Sequence, residues 1–332
     1  MRVLVVGGAG YIGSVTTQFL LKEGHDVVVF DNMSRGHKES VPAEAKLLLG
    51  DMGNEEDLGF AFEQGIDAVM HFAARSLVGE SVENPAIYFQ NNVSNGIKLL
   101  DSMMAHNVKQ FIFSSTAAVY GEPHGHPITE DFPLSPTNPY GESKLAFEKI
   151  LKWYSAAYGI KYVSLRYFNA AGASGAAGED HEPESHLIPL VLQVARGKRQ
   201  KITVFGSDYN TPDGTCIRDY IHVKDLAIAH VNALGHLADK GENGIYNLGQ
   251  GKGASVKEVI DVARKVTGKD IAVEMGARRA GDPSILVASN ELIHRQLGWR
   301  PQFSDLETII GDAWTWHQNH PDGYAPVLQE KH

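Results

Sequence analysis

The chain has 332 residues, of which 43% are hydrophobic and 21% are charged, and its formal net charge is −10. This composition indicates a globular protein with a sizeable core and length enough for two domains, while the negative charge disfavours nucleic acid and an anionic membrane surface as partners. The single cysteine, Cys216, excludes an internal disulfide and suits a cytoplasmic protein.

Short β-rich segments alternate with helical segments in the first half of the chain. Apolar runs rich in Val, Ile and Phe predict strands over residues 2–6, 26–30, 46–49, 68–72, 110–114 and 161–167. Helices are predicted between them, at residues 12–23, 55–63, 85–106 and 139–158. This alternation predicts an α/β fold of the Rossmann type, in which helices cover both faces of a doubly wound parallel sheet.

The pattern changes after Asn169. Residues 170–184 are rich in Gly, Ala and acidic residues and predict a long loop, which is usually functional in a compact protein. Further helices are predicted near residues 187–196, 223–237, 256–267 and 305–317. We expect residues 1–168, rejoined by 218–237, to form the sheet domain, and residues 169–217 and 238–332 to form a smaller mixed α/β domain.

A glycine-rich turn, Gly7-Gly-Ala-Gly-Tyr-Ile-Gly13, joins the first predicted strand to the first predicted helix. Glycine torsions allow a tight turn, and the bare backbone lets a pyrophosphate approach the free N–H groups at the helix N-terminus. A glycine motif alone also fits a packing turn, but its position between strand and helix is the one that dinucleotide binding requires. We expect cofactor contacts from Gly7, Gly10, Tyr11, Ile12 and Gly13.

Asp31 and Asn32 follow the second predicted strand, near the usual position of the acidic residue that binds the adenosine ribose. A carboxylate there would repel a 2′-phosphate, so the sequence favours NAD over NADP. Arg35 nearby argues the other way, and a turn-capping role for Asp31 is the structural alternative.

Further cofactor contacts are expected where later strands end, because ligands bind at the carboxyl edge of such sheets. The residues at these strand ends are Asp51, Met52, Phe72, Ala73, Ala74 and Ser114. The small side chains of Ala73 and Ala74 would let the cofactor approach closely, although they fit a packing role equally well.

Tyr140 and Lys144 lie one helical turn apart at the head of the fourth predicted helix. A free tyrosine is protonated at neutral pH, but a nearby cation favours the phenolate, so the pair can become a proton acceptor. Thr116, at the end of the fifth predicted strand, lies at the same edge of the sheet. The pair alone also fits an ordinary surface helix, and helix capping explains Asn138 and Pro139.

Together these motifs resemble those of the extended short-chain dehydrogenase/reductase family, over essentially the whole chain. The supporting segments are His71-Phe-Ala-Ala, Val78-Gly-Glu-Ser, Asn91-Asn-Val, Phe113-Ser-Ser-Thr, Pro139-Tyr-Gly-Glu-Ser-Lys, Arg166-Tyr-Phe-Asn, Asp213-Gly-Thr, Arg218-Asp-Tyr-Ile-His-Val, Tyr246-Asn-Leu-Gly and Arg278-Arg-Ala-Gly-Asp. The sugar-nucleotide 4-epimerases of the family are the most similar. The resemblance implies reversible 4-epimerisation of UDP-glucose and UDP-galactose through a 4-keto intermediate, with tightly bound NAD.

The resemblance also implies roles for individual residues. Tyr140 would take the proton of the sugar 4-hydroxyl, Lys144 would lower the pKa of Tyr140, and Thr116 would bind the sugar O4. Additional cofactor contacts are implied for Ser76, Asn91, Tyr140, Lys144, Tyr167 and Phe168. The implied UDP-sugar pocket is lined by Asn169, His186, Leu187, Thr203, Phe205, Arg218, Val256, Arg279, Asp282 and Leu286. The two arginines of this pocket would bind the diphosphate, although each also fits a surface ion pair.

Three positions differ from many relatives. Ser76, beside Arg75, stands where many relatives carry a lysine that contacts the cofactor, and His186 aligns with an Asn that contacts the nucleotide sugar in some of them. Leu286 stands where some relatives carry a larger tyrosine beside the hexose. The smaller residue favours some tolerance of UDP-GlcNAc and UDP-GalNAc.

Other functions remain open. A 4,6-dehydratase needs an acid after the active-site threonine, and Ala117 and Ala118 cannot supply one. A 4-epimerase of UDP-glucuronate or of a UDP-pentose would differ only around the sugar C6, which the sequence does not resolve. A non-catalytic NAD-binding protein is disfavoured because Tyr140, Lys144 and Thr116 are all present.

Relatives use the helices at 85–106 and 139–158 for a homodimeric four-helix interface, so the resemblance implies a homodimer. Val93, Ile97, Leu100 and Met104 have helical spacing there, which core packing explains as well. We expect no metal site, because the His124-Gly-His126 segment has no partner carboxylates and the chain contains no His-Glu-x-x-His motif. No apolar run reaches transmembrane length, and we expect no membrane partner.

Overall fold

The computed structural model describes residues 1–279 and 282–324, so the end of the second predicted domain, at residues 325–332, lies outside the described residues. The strands are β1 (Arg2–Val6), β2 (Asp26–Asp31), β3 (Lys46–Leu49), β4 (Ala68–His71), β5 (Gln110–Thr116), β6 (Lys161–Tyr167), β7 (Asn169–Ala171), β8 (Ile202–Phe205), β9 (Ile217–His222), β10 (Gly244–Leu248), β11 (Gly253–Ser255), β12 (Val273–Gly276) and β13 (Ile285–Leu286). The helices are α1 (Tyr11–Lys22), α2 (Glu55–Phe62), α3 (Val78–Glu83), α4 (Pro85–Phe89), α5 (Asn95–Ala105), α6 (Pro139–Tyr158), α7 (Leu187–Ala195), α8 (Val223–Asp239), α9 (Val256–Thr267), α10 (Glu291–Leu297) and α11 (Leu306–Asn319).

Seven strands form one parallel sheet in the order β3-β2-β1-β4-β5-β6-β10. In this sheet β1 lies between β2 and β4, with Val3 opposite both Val27 and Ala68. The strand order reverses beside β1, and ligands of doubly wound sheets bind at the carboxyl end of such a point. The predicted Rossmann-type α/β fold is confirmed.

Helices cover both faces of this sheet, as its apolar strands require. On one face, Leu20 of α1 and Leu226 of α8 pack against core residues such as Val5. On the other face, α2, α5 and α6 contribute the buried side chains Leu58, Leu99 and Phe147. Full burial of each such side chain is worth about 1.5–3 kcal/mol, so both helical layers hold the strand ends in fixed positions.

The last strand of the large sheet was not expected from the sequence. The predicted division placed residues 238–332 in the smaller domain, but β10 pairs in parallel with β6 and completes the edge of the large sheet. Tyr246 and Leu248 are buried in the core on the same face as α8. The pairing follows from α8, which packs on the sheet and returns the chain to its edge.

A smaller region contains the remaining strands. β9 pairs with β7, β11 and β13, while β8 pairs with β12. Helices α7, α9 and α11 close this region through a second apolar core that includes Ile188, Ile260 and Ile309. In the part of the chain that the structure describes, no helix is both long and apolar enough to cross a membrane.

The helix predicted at residues 85–106 is interrupted. After α4 the chain forms a π-helical segment over Gln90–Ser94 before α5 begins. Short π segments inside helices are common at functional sites, and this one places Asn91 and Asn92 beside the active-site helix α6. The predicted loop at 170–184 begins as strand β7 and is otherwise irregular.

Candidate active site

The glycine turn has the geometry that a dinucleotide phosphate needs. Gly7 has φ +79°, and a Cβ at Gly7 would lie 2.5 Å from the main-chain nitrogen of Ala73. A Cβ at Gly13 would lie 2.3 Å from the carbonyl oxygen of Gly7, so α1 can approach the strand only with glycine there. At Gly10 the nearest atom to a Cβ would be the Gly7 carbonyl oxygen at 3.4 Å, an ordinary contact, and Gly10 directly precedes the N-terminus of α1. These residues fit the pyrophosphate of a dinucleotide.

Asp31 ends β2 next to this turn and is buried. Its carboxylate accepts hydrogen bonds of 3.0 Å from the N–H of Ala9 and 2.9 Å from the N–H of Met33. Burial raises the pKa of Asp31, and these hydrogen bonds oppose the rise. The carboxylate therefore stabilises the turn, which is the capping role that the sequence offered as an alternative. It also lies at the end of the strand where a ribose would bind.

Other predicted cofactor residues gather at the same edge. The Asn32 amide donates a hydrogen bond of 2.8 Å to Asp51, which joins the ends of β2 and β3, and Met52 is buried below them. Phe72 and Ala73 follow β4, and the N–H of each donates to the carbonyl oxygen of Val6.

The predicted cofactor residues Ser76, Asn91 and Phe168 lie near the same edge of the large sheet, where their contacts are less well defined. Ser76 is exposed, and the amide of Asn91 donates to the Asn92 side chain at 2.9 Å. Asn92 is the more deeply bound residue, because its amide bonds both the main chain of Arg75 and the hydroxyl of Ser143. Asn92, which sequence reasoning did not single out, fixes the segment after β4 to α6.

Tyr140 lies in the first turn of α6. Asn138 caps this helix by accepting a hydrogen bond of 2.9 Å from the N–H of Gly141, and Pro139 occupies the first turn, as the sequence predicted. Burial raises the pKa of Tyr140, whereas a hydrogen bond with Thr116 lowers it. Thr116 ends β5, the strand whose Ser114 carbonyl accepts a hydrogen bond from Lys144 of the same helix.

Lys144 lies one turn further along α6 and is buried. Its Nζ donates a hydrogen bond of 2.7 Å to the carbonyl oxygen of Ser114 and lies 4.8 Å from the ring centre of Phe113. Burial lowers the pKa of Lys144 to about 7, although Glu148 opposes this shift. A half-neutral amine stabilises a phenolate weakly, so the expected lowering of the Tyr140 pKa is not produced by these side chains by themselves.

A buried ion pair between α6 and β6 stabilises this site. Arg166 of β6 and Glu148 of α6 are both buried, and the guanidinium bonds both carboxylate oxygens, at 3.0 and 2.7 Å. Ser115 donates to the same carboxylate at 2.6 Å, and Arg166 also donates to the Tyr120 hydroxyl at 2.8 Å. Such bidentate bonds fix planar groups in one orientation, so the strand end that carries Ser114 and Thr116 is held rigidly against α6.

Tyr167, a predicted cofactor contact, is held by a histidine. Nδ1 of His230 lies 2.8 Å from the carbonyl oxygen of Leu226, and its Nε2 lies 2.5 Å from the Tyr167 hydroxyl. Since a carbonyl can only accept, Nδ1 carries the proton and Tyr167 donates to Nε2. Burial lowers the pKa of His230 to about 4, which keeps the ring neutral.

Several predicted substrate residues meet across the smaller region. Arg218 of β9 forms an ion pair with Asp282, and β13 places Leu286 opposite Arg218 in register. The guanidinium of Arg279 lies 4.0 Å above the ring centre of Phe205. Each predicted diphosphate-binding arginine therefore has its own partner, and the N–H of Asp282 donates to the carbonyl oxygen of Arg279 at 3.4 Å.

The remaining predicted pocket residues sit at the ends of elements of the same region. Asn169 begins β7 and Leu187 begins α7, while Thr203 lies in β8 and Val256 begins α9. Val256 and Leu187 are partly buried against the second apolar core, so both residues have a packing role.

His186 has a different environment from the expected one. Its Nδ1 lies 2.8 Å from Glu179 and 3.0 Å from Glu184, which places the ring in an ion-pair cluster. The negative charge of Glu179 is the main cause that raises the pKa of His186 to about 11. Burial raises the pKa of Glu179, but the two neighbouring histidines together lower it to about 2. Sequence reasoning considered His186 only as a sugar contact, although Glu179, His181, Glu184 and His186 alternate within one short segment.

A glycine turn at the switch point of a parallel sheet, with a tyrosine and a lysine at the same edge, defines a dinucleotide-dependent enzyme of the short-chain dehydrogenase/reductase class. The chain belongs to the NAD dependent epimerase/dehydratase family, whose model matches residues 3–249.

Individual relatives are similar over nearly the whole chain. A UDP-glucose 4-epimerase from Halalkalibacterium halodurans is 54% identical over 334 residues, which cover 100% of both chains. The crystal structure of a UDP-glucose 4-epimerase from Brucella ovis in complex with NAD is 48% identical with a TM-score of 0.93, covering 95% of this chain and 97% of that one. A UDP-glucose 4-epimerase from Bifidobacterium longum in complex with NAD⁺ and UDP is 40% identical with a TM-score of 0.92, covering 98% of this chain and 100% of that one.

Proposed function

We propose that this chain catalyses the reversible 4-epimerisation of UDP-glucose and UDP-galactose with a tightly bound NAD. The observation that carries the proposal is that Tyr140 and Lys144 lie one turn apart in α6, with Lys144 bonded to Ser114 near the end of β5, at the carboxyl edge of the sheet that holds the glycine turn. Similarity to UDP-glucose 4-epimerases along the full chain supports the choice of reaction and of sugar nucleotide.

Tyr140 and Thr116 transfer the proton of the sugar 4-hydroxyl in this mechanism. Tyr140 as phenolate removes the proton of the sugar 4-hydroxyl, while Thr116 holds O4 and can relay the proton. NAD held at the glycine turn would supply the hydride acceptor for C4 of the sugar and, once reduced, the hydride donor to the other face of the 4-keto sugar. Burial raises the pKa of Tyr140 and lowers that of Lys144, so a phenolate at neutral pH would need the positive charge of the oxidised cofactor in addition to the protonated fraction of Lys144.

Arg218 and Arg279 bind the diphosphate of the substrate in this proposal, and Asp282 accepts a hydrogen bond from the uridine ribose. The Arg218–Asp282 ion pair supports these assignments, because it places the two side chains next to each other. Bidentate guanidinium donors suit phosphate oxygens better than a lysine does.

The site disfavours a dehydratase. Dehydration needs an acid that protonates a leaving hydroxyl, and the residues that follow Thr116 are Ala117 and Ala118, which open a short 3-10 helix. Ala117 packs against the buried cluster of Val119, Tyr120, Ile128 and Leu145. The chain therefore places apolar groups where the dehydratase would need a proton donor.

The test is turnover of UDP-galactose by the purified protein without added NAD. We expect chromatography to show UDP-glucose accumulating to a fixed equilibrium ratio, and the denatured protein to release NAD. A panel that includes UDP-glucuronate and a UDP-pentose decides among the sugars. Faster turnover of either acid or pentose would reject the glucose/galactose pair, and no turnover of any sugar by NAD-loaded protein would reject the epimerase.

N-acetylated sugars are the second substrate class that we propose, at a lower rate. Leu286 supports this, since it is smaller than a tyrosine and is partly buried against the cluster that includes Val119 and Tyr120, which follow the active-site strand. We expect measurable turnover of UDP-GlcNAc, and loss of that turnover in Leu286→Tyr while UDP-galactose turnover persists. UDP-GlcNAc turnover at background in the unmodified protein would reject the idea.

We also propose that two copies of the chain associate through α5 and α6. Leu100 is fully buried in the core, and Met104 packs against that core. Core packing therefore explains the helical spacing of these two residues. Trp153 on α6 is 72% exposed, which is unusual for an indole and supports a partner surface. Light scattering should give twice the chain mass at micromolar concentration, and Trp153→Glu should give the single mass. A monomeric unmodified protein would contradict the proposal.

A further inference from the structure

The loop between β7 and α7 gathers four metal-ligating side chains outside the catalytic site. Glu179, His181, Glu184 and His186 each offer one ligand atom, and these atoms all lie within 4.8 Å of one another. Nδ1 of His181 lies 3.3 Å from Glu179 and 3.8 Å from Glu184, and Nδ1 of His186 lies 2.8 and 3.0 Å from the same two carboxylates. Four ligands at zinc bond lengths in a tetrahedron are about 3.3–3.4 Å apart, so only small shifts would bring these atoms around one ion.

The ligands are held in place before any ion binds. The Glu179 side chain is 6% exposed and that of Glu184 is 7% exposed, so both carboxylates are withdrawn from solvent. The main-chain N–H groups of Ser185 and His186 each donate to Glu184 at 2.7 Å. Such outer hydrogen bonds orient ligating carboxylates.

One polar atom of the cluster has no hydrogen bond. Within the described residues, Nδ1 of His181 is buried and makes none, although the Glu179 carboxylate lies 3.3 Å away. Buried polar atoms are nearly always bonded, so an exception calls for a group that satisfies it. A cation at the centre of the cluster would do so by taking the imidazole nitrogen as a ligand.

We propose that Glu179, His181, Glu184 and His186 form a structural Zn²⁺ site. Two imidazole nitrogens and two carboxylate oxygens suit zinc, whereas Ca²⁺ and Mg²⁺ prefer sets made of oxygen alone. Four protein ligands close a tetrahedral site and leave no position for substrate, which is typical of a structural ion rather than a catalytic one. This inference is independent of the proposed reaction.

The ion would fasten a loop that crosses the cofactor edge of the sheet. The rings of Tyr11 and His181 pack edge to face with centroids 6.4 Å apart, and the Tyr11 hydroxyl donates to Gly172 at 2.6 Å. Arg35 donates to the carbonyl oxygen of Glu182 on the same loop. The zinc site thus joins the glycine turn, through Tyr11, to the segment that leads into the sugar-binding region.

Zinc binding to the chelator-treated full chain tests the proposal, with a chromophoric chelator as competitor. We expect one equivalent of Zn²⁺ per chain, at least about tenfold weaker binding in Glu179→Gln, His181→Gln and His186→Gln, and unchanged binding in the control His124→Gln/His126→Gln. Co²⁺ in place of zinc should give the visible absorption bands of a tetrahedral ion in the unmodified protein and in the control, and these bands should be lost in the ligand variants.

Two results would overturn the proposal. One is less than one equivalent of Zn²⁺ in the unmodified protein, and the other is equal affinity in the unmodified protein and His181→Gln/His186→Gln. His181 and His186 are partly exposed, at 32% and 49% of their side chains, so their variants are expected to fold even where Glu179→Gln does not. Circular dichroism of each variant checks this point.

Discussion

Lys144 donates a hydrogen bond of 2.7 Å from its Nζ to the main-chain carbonyl oxygen of Ser114. This bond ties the active-site helix α6 to the carboxyl end of β5 and places the amine beside the Phe113 ring. Burial lowers the pKa of Lys144 to about 7 against the opposing influence of Glu148. The protonation of one buried amine is therefore linked both to catalysis and to stability.

Replacing Lys144 with methionine should change how stability depends on pH. Between pH 7 and the ordinary lysine pKa of about 10.4, the unfolded chain binds a proton at Lys144 that the folded chain has released. The free energy of unfolding therefore rises with pH across this window in the unmodified protein. Urea unfolding from pH 7 to pH 10 should show a flatter profile for Lys144→Met.

Lys152→Met is the matched control, because Lys152 is an exposed residue of the same helix. Its profile should follow that of the unmodified protein. Identical pH profiles for Lys144→Met and Lys152→Met would mean that Lys144 stays protonated in the folded chain, contrary to this account.

Breaking the buried Glu148–Arg166 ion pair should destabilise the protein strongly. Glu148→Gln leaves the Arg166 guanidinium buried without a counter-charge, which costs about 3–5 kcal/mol. Chemical denaturation measures the loss. Glu142→Gln on the same helix is the control, since Glu142 is exposed and its removal should cost at most about 1 kcal/mol. A loss below about 1 kcal/mol in Glu148→Gln would show that the pair does not support the strand end.

Gly13→Ala should abolish the retention of NAD. A Cβ at Gly13 would lie 2.3 Å from the Gly7 carbonyl oxygen, so α1 must move away from the turn. Gly59→Ala in α2 is the control, because a Cβ there meets nothing within 4 Å and alanine should stabilise the helix by about 0.5–1 kcal/mol. NAD content is read by absorbance after denaturation. Full NAD content in Gly13→Ala would mean that the turn does not bind the cofactor.

The sequence predicted those parts of the fold that depend on local chemistry. The glycine turn could be predicted because strand, turn and helix lie in one segment, and Asn138 because its capping bond to Gly141 spans three residues. The strand at residues 244–248 could not be predicted, since its place in the large sheet depends on α8 and on pairing with β6. Likewise, the π segment at Gln90–Ser94 is held by contacts between Asn92 and distant residues.

Prediction of the candidate site from the sequence is limited in the same way, because it also depends on tertiary contacts. Tyr140, Lys144 and Thr116 could be proposed from motif spacing, but the pKa values of Tyr140 and Lys144 depend on burial that the sequence does not state. The sequence did contain a signal for the Glu179–His186 cluster, because acidic residues and histidines alternate there. The cluster is formed by a loop. It therefore matches neither the helical His-Glu-x-x-His motif nor the His124-Gly-His126 segment, on which the prediction of no metal site was based.

The most direct test of the account is the turnover of UDP-galactose by Tyr140→Phe that has retained its NAD. The glycine turn is unaltered in this variant, so NAD content should be unchanged. Loss of the proton acceptor should lower kcat by about 10²–10⁴-fold. A Tyr140→Phe protein with full NAD content and a kcat within about threefold of the unmodified protein would contradict the assignment of Tyr140 as the base.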